Sequence, residues 1–287
     1  MNVNAVSQGE QSGVLYVVAT PIGNFGDISE RAISVLRSVD LILAEDTRRT
    51  RPMLQKFAIG KPKIHSFHEH NEEHASKKVV ERLIAGENIA LVSDAGTPLI
   101  SDPGFGLVAA AHQAQVQVVP IPGSCAAIAA LSVSGMPTDQ FFFAGFLPAK
   151  SGQRQKTLNA LLGQQGTLVF YESSHRIVAS LHDLLAVFGA RKAVLARELT
   201  KMYETIRSDD ISGLLEFVSG DANQQKGEFV LLVEGAEKVS VDINQEEVDR
   251  MLRVMLEELP LKQAASLTAK ILGLKKNTVY QRALQLK

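Results

Sequence analysis

The sequence contains a single cysteine, Cys125, and no tryptophan. One cysteine excludes a disulfide within the chain, and without a cysteine cluster no zinc site is expected. No apolar run approaches the roughly 18–20 residues that a membrane-spanning helix requires. The amino-terminal stretch has neither a basic nor an apolar segment, so residues 1–12 are predicted to form a short disordered tail and not a signal peptide. These absences predict a cytoplasmic protein.

Net charge is also nearly absent, because the chain carries −1 at pH 7 and has no overall attraction to nucleic acid. The carboxyl-terminal stretch from Pro260 differs, because its charged residues are all basic: Lys262, Lys270, Lys275, Lys276, Arg282 and Lys287. Such a local excess indicates a surface that faces phosphates. A solvated helix face, balanced by preceding acidic residues such as Glu257 and Glu258, explains the pattern equally well.

Short apolar runs alternate with amphipathic stretches in the first part of the chain. The runs predict strands at Val14–Ala19, Leu41–Ala44, Ile64–Phe67, Ile89–Ser93 and Val116–Ile121. The stretches between them predict helices at Ser29–Ser38, His74–Ala85 and Phe105–Gln113. Continuous apolar runs are typical of strands buried on both faces, and alternation with helices predicts an α/β domain with a largely parallel sheet over 13–120.

A second set of strands and helices follows the hinge at Pro120–Gly123, which is rich in proline and glycine. Strands are predicted at Phe141–Phe146, Thr167–Tyr171, Ala193–Arg197, Glu204–Arg207 and Phe229–Val233. Helices are predicted at Lys156–Leu162 and Arg176–Phe188. This set predicts a second α/β domain over 121–236, and a cleft between two such domains is the usual place for a ligand.

Helical spacing returns after Val239–Asn244, which is interpreted as a linker. Residues 245–287 are predicted to form a small helical domain, with a boundary between helices at Pro260. Thr278 and Gln281 are the predicted capping box of the last helix. Two helices joined at a glycine turn, with a basic face, are compatible with a helix-turn-helix, and a small bundle that only packs is the alternative.

Charged side chains directly follow the second predicted strand. Glu45 and Asp46 can accept a proton or orient a hydroxyl, and Arg48 offers a guanidinium fork to a phosphate. An N-capped helix with solvated charges is the alternative, because Asp46 is a good capping residue. The first loop, Thr20–Gly23, lacks the glycines of a dinucleotide-binding turn, so nicotinamide and flavin cofactors are disfavoured.

Neither a metal site nor a covalent nucleophile is predicted. The segment Phe67–His74 contains closely spaced histidines and acids, but not in the H-E-x-x-H order. A polar helix start with Asn71 as its cap is favoured there. Ser173, Ser174 and His175 are adjacent, and adjacent residues in an extended or turn segment seldom act on one another.

Several segments taken together resemble the cofactor loops of the tetrapyrrole-methylase superfamily: Val18–Asn24, Ser93–Pro98 and Pro120–Ser124. Its members are S-adenosylmethionine-dependent methyltransferases with two α/β domains and the cofactor in the cleft between them. Further segments are similar to the branch that methylates the ribose 2′-hydroxyl of a cytidine in small-subunit (16S) ribosomal RNA: Ala44–Arg48, Phe67–Asn71 and Tyr171–Arg176. The resemblance covers nearly the whole chain and implies a homodimer.

The resemblance implies roles for individual residues. It places S-adenosylmethionine against Pro21, Gly96, Thr97, Leu99, Ser101, Ser124, Cys125, Ala126, Tyr171, Glu172, Leu199 and Glu228. We expect Glu45 or Asp46 to orient or deprotonate the 2′-hydroxyl, and no metal is required. RNA phosphates are expected at Arg48, Arg176, Lys226, Lys275, Lys276 and Arg282. In the stretch Val92–Gly104 the backbone approaches the cofactor, and Asp94 and Asp102 are interpreted as holding its turns.

Two alternative functions stay open at this point. Many tetrapyrrole methylases carry an acid where Thr97 stands, which favours RNA over a tetrapyrrole as substrate. A methyltransferase of a tetrapyrrole precursor would nevertheless use the same cofactor loops. A non-catalytic RNA-binding factor for ribosome assembly, with a vestigial cleft, is the alternative from another class.

Overall fold

The computed structural model describes residues 12–60, 63–68, 71–237 and 245–286. Its contacts divide the chain into two compact units, one that ends at Ala236 and one that begins at Glu237. Nearly all of the predicted tail, and the predicted linker Val239–Asn244, lie outside the described residues. The further division of the first unit into 13–120 and 121–236 stays a prediction.

The first sheet consists of β1 (Val14–Val18), β2 (Leu41–Ala44), β3 (Lys63–Ser66), β4 (Ile89–Val92) and β5 (Gln117–Ile121). All of these strands are parallel, in the order β3-β2-β4-β1-β5. Parallel pairing brings the carboxyl ends of the strands to one edge, where the loops that follow them meet. The predicted parallel α/β arrangement is confirmed.

Helices cover both faces of this sheet: α1 (Glu30–Ser38), α2 (Thr47–Lys56), α3 (Glu72–Ile84) and α4 (Phe105–Gln113). Successive side chains of a strand point to opposite faces. The helices α1 and α2 pack on the face that carries Ile42 and Ala44, whereas α3 and α4 pack on the face that carries Leu41 and Leu43. Burial on both faces explains the continuous apolar run of β2.

The second sheet is mixed and consists of β6 (Phe141–Phe146), β7 (Thr167–Ser173), β8 (Lys192–Arg197), β9 (Thr205–Asp210) and β10 (Glu228–Val233). The order is β6-β7-β10-β8-β9, and only β6 and β7 are parallel. Because β10 runs antiparallel to β7 and β8, the beginning of β10 lies beside the ends of the other two strands.

The helices around the second sheet are α5 (Ala126–Ser134), α6 (Ser151–Ala160), α7 (Ile177–Phe188) and α8 (Ile211–Gly220). On one face, α6, α7 and α8 enclose a core that includes Phe170 and Leu195. On the other face, α5 packs against Val169 and Val194. The small residues of α5 let it lie close to the strands.

The smaller unit contains α9 (Gln245–Glu258), α10 (Leu261–Ile271) and α11 (Lys276–Leu286). Its core includes Val248, Leu252, Ala265, Ala269, Val279 and Ala283. Pro260 is the residue before α10, with φ −55° and ψ 142°, as predicted for a boundary between helices. The predicted capping box is wrong, because α11 begins at Lys276 and Thr278 lies inside its first turn.

Candidate active site

A cavity of about 740 Å³ lies between the loops at the carboxyl edge of the first sheet and the second sheet. Loops after β1, β2, β4 and β5 supply one wall: Ile22, Glu45, Arg49, Asp94, Ala95, Gly96, Thr97, Ile100, Ser101, Asp102, Cys125 and Ala126. The opposite wall consists of Phe146, Tyr171, Glu172, Ser173, Ser174, His175, Ala196, Leu199, Gly227, Glu228, Phe229 and Val230. This volume is typical of a site for a small organic cofactor.

A backbone bridge joins the loops that follow β1 and β4. The Thr20 N–H donates to the Gly96 carbonyl over 2.9 Å, and the Gly96 N–H donates to the Thr20 carbonyl over 3.0 Å. Gly96 has φ +88°, in the region that glycine enters without steric cost. A Cβ there would lie 3.3 Å from Cγ2 of Ile22. Glycine therefore lets the backbone itself form part of the cavity wall.

Three carboxylates and one guanidinium line the first wall, and Asp94 connects this group to the end of β2. Asp94 Oδ1 accepts a hydrogen bond from the Asp46 N–H over 2.9 Å, and its Oδ2 lies 3.4 Å from Nη1 of Arg49. Asp94 was predicted to hold its own turn. In the structure it ties two loops together.

The other two carboxyl groups of this wall have raised pKa values. Burial raises the pKa of Glu45, the negative charges of Asp102 and Asp94 add to the increase, and Arg49 opposes it. Burial also raises the pKa of Asp102, with a contribution from Asp94 and an opposing hydrogen bond from Ser93. A carboxylate with a raised pKa is a better general base, and the excess of acids favours a cationic ligand.

Asp46 and Arg48 do not line the cavity, so their predicted roles are revised. Asp46 is the N-cap of α2, and its Oδ1 accepts from the Arg48 N–H over 2.9 Å. Its carboxylate also accepts hydrogen bonds from Nε and Nη2 of Arg48 over 3.0 and 2.9 Å. These hydrogen bonds lower the pKa of Asp46 to about 2. The capping alternative therefore describes Asp46, and Glu45 and Arg49 are the charged residues of this segment at the cavity.

Most residues predicted to hold the cofactor line the cavity: Gly96, Thr97, Ser101, Cys125, Ala126, Tyr171, Glu172, Leu199 and Glu228. Pro21, Leu99 and Ser124 are not among the lining residues. Pro21 is buried and its neighbour Ile22 reaches the cavity instead. Leu99 packs against the core under α3 and α4. The Ser124 carbonyl accepts a hydrogen bond from the Thr97 hydroxyl over 3.0 Å, which holds the loop.

Glu172 is buried and accepts hydrogen bonds from three neighbouring residues. Its donors are the Ser173 N–H at 2.7 Å, Nε of Arg176 at 2.9 Å and the Ser180 hydroxyl at 2.5 Å. Arg176, predicted to hold RNA, is therefore occupied with neutralising Glu172. The arrangement fixes the turn that presents His175 to the cavity.

Tyr171 connects the end of β7 to the start of α5. Its hydroxyl oxygen accepts a hydrogen bond from the Ala127 N–H over 3.1 Å, and burial raises the pKa of this phenol. The ring of Phe146 meets the Tyr171 ring edge-on, with centroids 5.6 Å apart. Phe146 is 54% exposed and gives the cavity an apolar rim.

Lys226, also predicted to hold RNA, does not line the cavity, although the next residue, Gly227, does. The Lys226 ammonium donates to Oδ1 of Asn223 over 3.1 Å, and the Lys226 carbonyl accepts from Nε of buried Arg197 over 2.6 Å. Glu228 at the cavity accepts a hydrogen bond from Nζ of Lys201 over 2.9 Å.

Sequence reasoning missed Arg49. Glu45 precedes the N-cap Asp46 and lies outside α2, so helical spacing from Glu45 does not select between Arg48 and Arg49. Only the structure shows that Arg48 pairs with Asp46 and that Arg49 lines the cavity. Phe146 and His175 were missed because only the packing of the second sheet brings them to the cavity.

In the smaller unit, the predicted RNA-binding residues fall into two groups. Lys275 and Lys276 are exposed. Arg282 instead forms a bidentate pair with Asp249, with Nε–Oδ1 at 2.7 Å and Nη2–Oδ2 at 2.6 Å. Arg282 therefore holds α11 to α9.

The structure also bears on metals and membranes. Within the described parts of the chain, no group of histidine, cysteine and acidic side chains is placed to hold a metal ion. Glu69 and His70 of the histidine-containing segment lie outside those parts. Across the described ranges, no helix has both the length and the apolar character to span a bilayer.

Comparison with known proteins connects this geometry to a family. Residues 14–214 match the family model for tetrapyrrole (corrin/porphyrin) methylases, and residues 242–287 match that for the RsmI C-terminal HTH domain. The chain is 53% identical over 281 residues to ribosomal RNA small subunit methyltransferase I of Pseudomonas aeruginosa, covering 96% of this chain and 98% of the relative. It is 50% identical over 280 residues to the Escherichia coli O157:H7 protein of that name, covering 97% of each.

The chain belongs to the ribosomal RNA small subunit methyltransferase I family. Solved structures outside this family share the fold. Uroporphyrin-III-C-methyltransferase from Thermus thermophilus aligns with TM-score 0.54 and 20% identity, covering 77% of this chain and 94% of that one. The methyltransferase CobJ aligns with TM-score 0.58 and 18% identity, covering 78% and 95%.

Members of the ribosomal RNA small subunit methyltransferase I family are S-adenosylmethionine-dependent enzymes, and the cavity fits that cofactor. The sulfonium and ammonium groups carry positive charge, which matches the carboxylates of Glu45, Asp94 and Asp102. Apolar side chains such as Leu199 and Val230 suit an adenine ring on the opposite wall.

Proposed function

We propose that the chain transfers a methyl group from S-adenosylmethionine to the ribose 2′-hydroxyl of a cytidine in small-subunit (16S) ribosomal RNA. The observation that carries this proposal is the near-full-length similarity to the small-subunit methyltransferases, combined with a cavity where Glu45 and Arg49 lie together. A partly buried acid and a cation that line the same cavity suit a hydroxyl that must lose a proton beside a phosphate.

In this proposal, different residues of the chain contribute to proton removal and to phosphate binding. When bound, S-adenosylmethionine supplies an electrophilic methyl group on its sulfonium. Glu45 accepts the proton of the 2′-hydroxyl, and its raised pKa makes it a stronger base than an exposed glutamate. A positioned base of this kind contributes about 10²–10⁴ in rate. The negative charge of Asp94 holds Arg49 beside the cavity, where its guanidinium can receive the phosphate of the target nucleotide.

Alignment of the two reactants is the other contribution of the chain. Thr97, Ser101 and Ala126 hold the cofactor side of the cavity, and Ile100 and Phe146 form an apolar rim around its mouth. Such a rim excludes water and offers a surface on which an extruded base can stack. Correct alignment supplies on the order of 7–11 kcal/mol at best.

The smaller unit provides the charge for RNA binding in this proposal. Lys275 and Lys276 precede and begin α11 and are exposed. Two cations near the amino-terminal end of a helix in a helix-turn-helix-like unit suit a ribosomal RNA backbone. Arg282 contributes indirectly, because its pair with Asp249 keeps α11 in place.

We also propose that the enzyme acts in the cytoplasm as a homodimer. The strand β6 lies at an edge of the second sheet and exposes Phe141 and Phe142, which are 44% and 41% accessible. Exposed apolar side chains on an edge strand favour association. Light scattering on the purified chain should give twice the monomer mass, and the monomer mass would contradict this part of the proposal.

A competition between substrate classes tests the proposed function. The protein is incubated with methyl-labelled S-adenosylmethionine and either small ribosomal subunits or a tetrapyrrole precursor. We expect label in the RNA only. Label in the tetrapyrrole would favour the alternative enzyme. If calorimetry detects no binding of S-adenosylmethionine, the non-catalytic RNA-binding factor is favoured instead.

The paired variant Lys275→Glu/Lys276→Glu separates RNA binding from chemistry. We expect weaker binding of the ribosomal substrate with unchanged affinity for S-adenosylmethionine, because neither lysine lines the cavity. The matched control is Lys150→Glu/Lys156→Glu, which makes the same charge change on the exposed surface around α6. Equal losses in both pairs would contradict a specific role for Lys275 and Lys276.

A further inference from the structure

The segment after β3 contains polar residues that the proposed function does not use. Asn71 organises the described part of this segment. Its Oδ1 accepts a hydrogen bond from the His68 N–H over 2.9 Å, and its Nδ2 donates to the Ser66 carbonyl over 3.1 Å. This turn places Glu72 at the first position of α3.

Glu72 makes a contact with a distant helix. Its Oε1 accepts hydrogen bonds from the Gly106 N–H over 2.8 Å and from the Gly104 N–H over 3.2 Å. Both amides belong to the start of α4, whose N-cap, Gly104, has no side chain to satisfy them. A carboxylate at a helix N-terminus also interacts favourably with the helix dipole. A residue on α3 therefore caps α4.

This contact lies at one end of a loop that lines the cavity. The loop runs from Ser93 to Gly104, and Ser101 and Asp102 near its end face the cavity. Its beginning is held by the bridge between Thr20 and Gly96. Its end reaches Gly104, where φ is +131°, a conformation accessible to glycine. The Glu72 carboxylate holds this end by accepting hydrogen bonds from the Gly104 and Gly106 N–H groups.

We propose that Glu72 is a positioning residue for the cofactor: by capping α4 it holds Ser101 and Asp102 in the cavity wall and so sets the affinity for S-adenosylmethionine. The inference rests on the proposed placement of the cofactor against the loop Ser93–Gly104. Glu72 itself does not line the cavity. It acts through the two backbone N–H groups from which it accepts hydrogen bonds.

Three variants test the contact, each in the full-length protein. Glu72→Ala removes the acceptor, whereas Glu72→Gln keeps an Oε1 that can accept both N–H groups without the charge. Gly106→Ala disturbs the same contact from α4, because the added Cβ would lie 3.1 Å from Oε1 of Glu72 and crowd the carboxylate. Glu73→Ala is the matched control, because Glu73 is the next acid of the same helix turn and is exposed.

Two readouts distinguish positioning from a general loss of stability. Calorimetry gives the dissociation constant for S-adenosylmethionine, and amide hydrogen exchange gives the protection of Gly104 and Gly106. For Glu72→Ala and Gly106→Ala we expect about tenfold weaker binding and faster exchange at these amides, because charge-assisted hydrogen bonds are lost. Glu72→Gln should recover most of the affinity, kcat at saturating cofactor should change little, and Glu73→Ala should match the original chain.

The outcomes separate this inference from the function on which it rests. Unchanged cofactor affinity in folded Glu72→Ala would overturn the positioning role, and so would equal losses in Glu72→Ala and Glu73→Ala. Ala95→Trp, which fills the cavity from an exposed position, tests the placement of the cofactor. If Ala95→Trp abolishes binding while Glu72→Ala does not, only the positioning role fails. If Ala95→Trp binds normally, the proposed cofactor site fails as well.

Discussion

The backbone N–H of Asp46 donates a hydrogen bond to Oδ1 of Asp94 over 2.9 Å, which ties the end of β2 to the loop after β4. The same carboxylate lies 3.4 Å from Arg49. One side chain therefore sets the distance between the proposed base, Glu45, and the proposed cofactor loop. The alignment of hydroxyl and cofactor depends on this distance, because a transfer reaction requires the reacting atoms in contact.

Replacing Asp94 should separate its two contacts. Asp94→Ala leaves the Asp46 N–H without its acceptor, and we expect the free energy of unfolding to fall by about 1–3 kcal/mol. Asp94→Asn keeps an oxygen that can accept that hydrogen bond but loses the ion pair with Arg49. The free energy of unfolding of Asp94→Asn should be closer to that of the original chain, and its KM for RNA should rise. Urea unfolding and steady-state kinetics measure the two effects, and equal destabilisation by both variants would contradict the role of the hydrogen bond.

Arg49 and Arg48 form a matched pair of neighbouring cations. Arg49→Ala should raise KM for the ribosomal substrate about tenfold, because it removes the guanidinium that lines the cavity. Arg48→Ala should have little effect, because Arg48 pairs with Asp46 in water and exposed pairs contribute little. Methylation kinetics at several salt concentrations provide the measurement. A larger effect from Arg48→Ala would return the phosphate role to the residue first predicted from the sequence.

Glu45→Gln tests the proposed base through the pH dependence of the rate. A base acts when deprotonated, so kcat of the original enzyme should fall on the acid side with a pKa above 4.5, the ordinary value for glutamate. Glu45→Gln should lower kcat by about 10²–10⁴ and remove this acid limb. Asp46→Asn is the control and should retain most of kcat, because Asp46 caps α2. Near-normal turnover in folded Glu45→Gln would exclude the base.

Asp102→Asn should stabilise the protein near neutral pH. Burial raises the pKa of Asp102 in the folded state above 3.8, so the folded state binds this proton more tightly than the unfolded state. Its contribution to stability is therefore present at low pH and declines as the pH rises from about 4 through the folded-state pKa. The melting temperature of Asp102→Asn should exceed that of the original chain at pH 7, and the gain should disappear at low pH. Asp139→Asn, which removes an exposed carboxyl group elsewhere, controls for net charge.

The stretches of the fold that the sequence predicts best are those where local pattern and burial agree. The apolar runs of β2 and β4 lie within their predicted bounds, and Phe105–Gln113 is the observed α4. The helix α8 was not predicted, although Asp210 caps it through the Gly213 N–H. The antiparallel pairing of β10 with its neighbours was also out of reach, because strand direction depends on contacts between distant segments.

The candidate site shows the same division between local and distant information. Loop residues such as Gly96 and Thr97 could be predicted, because their sequence resembles that of a family. The sequence could not decide between capping and the proposed base for Asp46 and Glu45, because both are acids. Only the structure shows that the start of α2 engages Asp46 and that Glu45 lines the cavity. The contact of Glu72 with α4 spans 32 residues and leaves no local pattern.

The measurement that tests the central claim most directly is mass mapping of ribose methylation in small-subunit ribosomal RNA from cells with and without this protein. We predict one cytidine that carries a 2′-O-methyl group only when the protein is present, restored by the original chain and not by Glu45→Gln. An unchanged methylation map, or a methyl group that is lost from a base and not from a ribose, would contradict the proposed function.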